Sequence, residues 1–420
     1  MRIVLVHQFY LRPGEGGGSR FNEMVRWWQA RGHEVRVIAG QVSYTSGDRA
    51  QDLGVLHEED GEHGERVYRV YTPGTYQKGV LGRAWSVGGF ALGAMGVFAR
   101  ECLRWADVVV VTSPPLTVGV FPLWIKVLSG WRLPVAFEVR DLWPESAVAT
   151  GALAEGSAMT RALYGLEALA YRVSDVVVPL TPAIARSIVT RELKDAASVI
   201  EIPNGADEYM LEPVVKGEAR EQLREEYGWG DKFVVLYAGA HGVANDLVQV
   251  LDAAQAAMEA HLGDEILWVL VGDGPQKRFL KKESEDRGLS NVEWRASVGR
   301  VEVKRLFDAA DCGVAVLKRT ETFKTVYPNK IFDTMSRGRP VCFGVDGVAR
   351  ELIEGAGAGL FFEPGDGEDF FRQVNYLRSH PEEAQHMGVL GRELVQARFS
   401  RRMLALEYLD VLGALVGDVL

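Results

Sequence analysis

A chain of 420 residues exceeds one typical hydrophobic core, so two domains are expected. Its 47% hydrophobic content and 46 glycines suit a globular α/β protein rich in tight turns, and a net charge of −10 argues against bulk attraction to nucleic acid. Cys102, Cys312 and Cys342 lie far apart and match no metal-ligand spacing, which points to a reduced, cytosolic compartment.

Ile3–Val6 reads as a first strand, followed by His7 and Gln8. The apolar run is too short for a signal-peptide core. Ser19 is placed to cap a helix in which Phe21, Met24, Val25 and Trp28 fall at i, i+3, i+4 and i+7. Val35–Ala39 is a second strand. His57 to His63 is acidic, fits no zinc or calcium spacing, and reads as a solvated loop. Ala84–Ala99 is uncharged, contains four glycines and is flanked by arginines. It is shorter than the ~20 residues of a membrane span. A buried helix or helix pair is expected, with Trp85, Phe90 and Phe98 able to lie at a membrane interface. Further strands are expected at Val108–Val111, Val135–Val139, Val176–Leu180 and Val199–Ile202. Strands alternating with helices imply a parallel, doubly wound sheet.

Turn residues at Pro203–Asp207 break this pattern, and a charged segment follows. Strands then resume at Phe233–Tyr237, Leu267–Val271, Val292–Trp294, Gly313–Leu317 and Val341–Phe343, giving a second Rossmann-like unit. The expected domains are 1–205 and 206–399. A helix within 400–420 is expected to pack back on the first domain.

Several loops carry chemistry-bearing residues. The first βα loop contains Gly16, Gly17 and Gly18 before Ser19 and Arg20, so its backbone can approach a ligand closely. Ser19 spoils a dinucleotide fingerprint. Arg20 opposes the usual preference for acids in a first helical turn, which suggests an anionic partner. Glu138, Arg140 and Asp141 are charges at a strand's carboxyl end, where open α/β sheets bind ligands. They are read as catalytic candidates, with a plain salt bridge as the alternative. Gly239, His241 and Gly272 end strands of the second unit, where a nucleotide can lie against the backbone. Beyond Gly313–Leu317, Pro328 and Asn329 open a helix whose N-terminus suits phosphate. Lys324 and Lys330 add charge there, and Asp333 can accept from sugar hydroxyls. No GxSxG or Ser/His/Asp order supports hydrolysis.

The ordered set RGHEV at Arg31, SPPL at Ser113, RDLWPES at Arg140, PNGAD at Pro203, GDGP at Gly272 and PNKIFDTMSRGRPV at Pro328 resembles the GT-B retaining glycosyltransferases of the family-four type. Within them it is most similar to bacterial aminosugar and fucosamine transferases of O-antigen and capsule assembly. The resemblance covers nearly the whole chain. It implies two Rossmann-like domains facing a cleft, the first holding the acceptor (with His7, Gly17, Gly18 and Arg20) and the second the nucleotide-sugar. It implies no cofactor and no metal. Asp333 stands where a Glu usually holds the ribose. The motif's earlier Glu is replaced by Thr325, and Ala240–Asp246 lacks the family's Arg and Lys. Lys324, Lys330 and Arg319 are then the candidates to neutralise the diphosphate.

The implied activity is transfer of a sugar, most simply from a UDP-sugar, to a saccharide or lipid-linked acceptor for cell-surface polysaccharide. Cytoplasmic work at the inner face of the plasma membrane, touching anionic lipid, would fit such acceptors. A nucleotide-sugar epimerase or hydrolase, or an inactive sugar-nucleotide-binding subunit, are the alternatives.

Overall fold

The computed structural model describes residues 1–13, 15, 19–42, 54–75 and 79–417. The chain divides into two compact units, Met1–Asn204 with Arg401–Leu420, and Gly205–Ser400.

In the first unit the strands are β1 (Arg2–Val6), β2 (Glu34–Gly40), β3 (Leu56–Asp60), β4 (Arg66–Val70), β5 (Val108–Ser113), β6 (Val135–Val139) and β7 (Val176–Pro179). The helices are α1 (Arg20–Ala30), α2 (Gly79–Arg104), α3 (Val120–Ser129), α4 (Glu145–Ala149), α5 (Ala158–Val173) and α6 (Pro182–Thr190). Among the described residues the sheet order is β3-β4-β2-β1-β5-β6-β7, parallel except for β3. The near-continuous Val, Ile and Leu runs follow from burial on both faces. Val4, Val6 and Val111 pack with Phe90, Phe98 and Phe121 on one side. Ile3, Leu5 and Val37 pack with Phe21, Trp28 and Tyr408 on the other.

In the second unit the strands are β8 (Phe233–Ala238), β9 (Ile266–Val271), β10 (Val292–Arg295), β11 (Cys312–Val316), β12 (Val341–Gly344) and β13 (Gly359–Phe361). Helices α7 (Glu218–Tyr227), α8 (Val248–Glu259), α9 (Lys277–Asp286), α10 (Arg300–Ala309), α11 (Asn329–Ser336), α12 (Val348–Ala356), α13 (Gly367–Ser379) and α14 (Pro381–Arg398) surround them. The order is β10-β9-β8-β11-β12-β13, all parallel. Helix α15 (Arg401–Val416) belongs to the first unit and packs on α1, where the Trp28 indole donates to the Ala405 carbonyl at 2.9 Å.

Two expectations change. Val199–Ile202 does not form a strand. It makes an isolated bridge to Val177, and the Ile200 and Ile202 amides bond the Val177 and Pro179 carbonyls. The acidic segment from His57 is not a loop throughout, because His57–Asp60 lies in edge strand β3 and Glu59 receives the buried Arg69 guanidinium at 2.7 Å. Ala84–Ala99 lies within one long helix. Phe90, Ala94 and Phe98 enter the core, while Trp85, Leu92 and Met95 are exposed.

Candidate active site

The second sheet reverses its strand order between β8 and β11, so a crevice opens outside their carboxyl ends. The loop after β8 interlocks with the loop after β9. Gly239 N–H donates to Val271 O at 2.9 Å, His241 N–H to Asp273 O at 2.8 Å, and Gln276 N–H back to His241 O at 3.0 Å. A Cβ on Gly272, whose φ is +140°, would lie 1.9 Å from the Gly239 carbonyl oxygen. No side chain fits there, which explains the glycine. Lys277, at the start of α9, ties the loop after β9 to the end of β10 by donating to the Gly272 and Arg295 carbonyls. Lys277 is not among the residues expected from the sequence, and its place just after GDGP is the signal for it.

Helix α11 begins at Asn329, directly beyond this crevice. Asn329 is exposed, and Lys330 stands in the first turn. The Lys330 ammonium lies 4.9 Å from the Tyr237 ring centroid and donates to Asn245 Oδ1 at 3.2 Å. Its stem is so close to Gly239 that a Cβ there would meet Lys330 Cε at 2.5 Å. Burial pulls the Lys330 pKa down to about 8, and Asp333, one turn on, opposes that fall. Gly239 and Gly272 thereby meet at the ends of the neighbouring strands β8 and β9, Lys330 reaches Gly239, and Asp333 acts on Lys330.

The other expected cations are engaged. Lys324 pairs with Glu321 at 2.9 Å and Asp346 at 3.7 Å, and these carboxylates hold its pKa up. Arg319 pairs with Glu363 at 3.0 Å. Thr325 sits in a short 3₁₀ turn, with its hydroxyl on the Thr322 carbonyl. The His241 ring is fully buried between Tyr237 and Trp294, and neither ring nitrogen has a hydrogen-bond partner. Burial first, then the Lys277 charge, pull its pKa to about 4. A neutral, inaccessible imidazole shapes the loop rather than meeting a phosphate, which corrects the expectation of a His241 donor.

In the first unit the carboxyl ends of β1, β5 and β6 bring His7, Thr112, Glu138, Arg140 and Asp141 together. Two expectations are corrected here. Glu138 is fully buried and accepts from Arg20 Nε at 3.0 Å and from the Thr112 hydroxyl at 3.0 Å. Arg20 spends its remaining donors on the Pro203 and Ile202 carbonyls. The anion that Arg20 seeks is therefore internal, and the pair fastens α1 and β6 to the 202–203 segment. It leaves neither group free for a catalytic or acceptor-binding role. His7 is buried, with Nδ1 unpartnered, and burial followed by Arg140 and Arg69 hold its pKa well below normal. Burial raises the Asp141 pKa, opposed by Arg140. Gly17 and Gly18 lie outside the described residues. Among the described residues no group of three or more His, Cys, Asp or Glu side chains converges as a metal site.

Known proteins extend these observations. Residues 15–205 match the glycosyl transferase 4-like domain, and residues 219–394 match the glycosyl transferases group 1 domain. The chain is 26% identical over 347 residues to the putative colanic acid biosynthesis glycosyl transferase WcaI of Escherichia coli (strain K12), covering 80% of this chain and 82% of that protein. It is 28% identical over 183 residues to alpha-D-kanosaminyltransferase of Streptomyces kanamyceticus, covering 43% and 45%. The crystal structure of Anabaena Alr3699/HepE in complex with UDP superposes with a TM-score of 0.72 at 16% identity, over 99% of this chain and all of that one. Two family domains in this order, on two mainly parallel α/β sheets, make the chain a member of the GT-B glycosyltransferases.

Proposed function

We propose that this glycosyltransferase is a retaining enzyme that moves a sugar from a nucleoside diphosphate, UDP foremost, to a saccharide or lipid-linked acceptor in cell-surface polysaccharide synthesis. The observation that carries the reading is Lys330, a half-buried cation in the first turn of α11, set against the glycine that follows β8. Lys330 and the α11 amides would stabilise charge on the leaving diphosphate, the kind of electrostatic help that usually contributes most to catalysis. Asp333 would hold the ribose hydroxyls. The departing phosphate oxygen would take the acceptor's proton, so no protein nucleophile is assigned. The second unit thus holds the donor and the first the acceptor, with Arg140 and Asp141 near it. No metal is assigned to this chemistry.

UDP in the HepE complex supports the nucleotide, and the colanic acid assignment of WcaI supports the polysaccharide. An aminosugar relative is consistent with either. The exposed Trp85, Leu92 and Met95 of α2, with Arg100 and Arg104 also exposed, support contact with an anionic bilayer at a cytoplasmic membrane face. No helix among the described residues is long and apolar enough to cross one.

The test is UDP calorimetry with the wild type and Asp333→Ala. Loss of about 1–3 kcal/mol is expected from a hydrogen bond to a charged group. Equal affinity removes Asp333 from the site. Turnover in excess EDTA, with the anomeric configuration followed by NMR, checks the metal-free and retaining assignments.

A further inference from the structure

Lys330 does not hold its own position. Its ammonium bonds Asn245 Oδ1, which comes from the loop after β8, the stretch that carries no Arg or Lys. That loop is itself fixed. Asn245 N–H donates to Gly242 O at 3.1 Å, and Lys318 N–H, just past β11, donates to Ala244 O at 2.9 Å. Asp246 then turns through φ 44° to start the approach to α8. The backbone on either side of Asn245 is therefore tied to its own loop and to the segment after β11, and the Asn245 amide oxygen accepts from the ammonium.

We propose that Asn245 is a positioning residue: it orients the Lys330 ammonium towards the donor diphosphate and, being neutral, leaves that charge free to act on an anion. The proposal rests on the donor site described above. A carboxylate in the same place would hold the ammonium as an ion pair and would repel the diphosphate. The absence of the usual basic residues from this loop then has a reason. The loop supplies a neutral acceptor, and the charge arrives from α11.

The titratable groups around the ammonium are Asp333 on α11, Tyr237 on β8 and His241 in the following loop, with Lys277 and Asp273 also acting on that ring. His241 is neutral above pH 5, so Asp333 is the charge that opposes loss of the Lys330 proton. The cation predominates below about pH 8 and is lost as pH rises through that value. Donor use should fall along that alkaline limb.

The experiment measures UDP affinity by calorimetry, and kcat/KM against pH, for wild type, Asn245→Asp, Asn245→Ser and Lys330→Met, with thermal melts as a folding check. Asn245→Asp should weaken UDP at least about tenfold at pH 7 and move the alkaline limb upward, because a carboxylate holds the proton on Lys330. Asn245→Ser shortens the acceptor and should lower kcat more than it raises KM, without that upward move. A merely structural asparagine would give equal losses and an unmoved limb in both. If Lys330→Met abolishes UDP binding while both Asn245 variants bind and titrate as wild type, the positioning role is wrong and the donor site stands. If wild type binds none of UDP, GDP and ADP, the donor site fails and takes the proposal with it.

Discussion

Buried charge is costly unless paired, and two arginines at the ends of this chain's helices show how that cost is met. Arg337, at the end of α11, is fully buried and bonds Asp308 through both Nε and Nη2 at 3.0 and 2.6 Å. Arg20, at the start of α1, is equally buried against Glu138, and burial lowers its pKa to about 10. Replacing one partner leaves the other charge stranded. Arg20→Met should therefore destabilise the first unit by about 3–5 kcal/mol, and adding Glu138→Gln should recover part of the loss. Urea unfolding of the single and double variants measures both. Equal stability of Arg20→Met and wild type would mean that Glu138 is not held as described. The residue types were legible at both positions, but the pairing was not. Arg20 and Glu138 are 118 residues apart in the chain and meet only because β1, β5 and β6 are neighbours.

Elements were most legible where burial on both faces forced continuous apolar runs. Strand β6 matches its expected span, and the Pro328–Asn329 start of α11 was plain from its own residues. Edges were not legible. Strand β3 alternates exposed and half-buried charged residues and has a neighbour on one side only, so its sequence resembles a loop. Lys324 and Lys330 looked alike in sequence. The 3₁₀ turn carries Lys324 to Glu321 and Asp346, while the helix turn carries Lys330 to Gly239.

The two glycine loops give a sharper prediction at this scale. Both glycines have a positive φ, but Gly239→Ala puts a methyl against the movable end of Lys330, whereas Gly272→Ala puts one 1.9 Å from a fixed backbone carbonyl oxygen. The first should weaken UDP binding several-fold and lower the Tm less than the second. The second should cost on the order of 1–3 kcal/mol of stability. Melting curves and calorimetry on both variants check this. The reverse ranking would contradict the loop geometry.

On the scale of the whole chain, the polypeptide leaves the first unit at Asn204 and returns to it at Arg401, and these two residues are joined by a 2.6 Å hydrogen bond. Helix α15 then completes the first core. Tyr408 meets Trp28 and Phe21 at steep ring angles, with centroids 5.5 and 6.3 Å away, yet its buried hydroxyl has no hydrogen-bond partner. Tyr408→Phe should leave stability unchanged or raise it by about 1 kcal/mol, since it removes an unmet polar group. Tyr408→Ala should lose about 3–5 kcal/mol to the cavity. Denaturant melts of the two variants separate packing from polarity.

Donor turnover tests the central claim most directly. UDP-, GDP- and ADP-sugars are offered with saccharide and lipid-linked acceptors, and release of the nucleoside diphosphate is followed for wild type and Lys330→Met. Loss of the leaving-group cation should cut kcat at least about 100-fold, the scale of one removed electrostatic stabiliser, while the melting temperature holds. Wild-type turnover with one donor class and its collapse in a folded Lys330→Met is the predicted result. Equal turnover by the two proteins, or a wild type that transfers from no nucleoside diphosphate sugar, would contradict it.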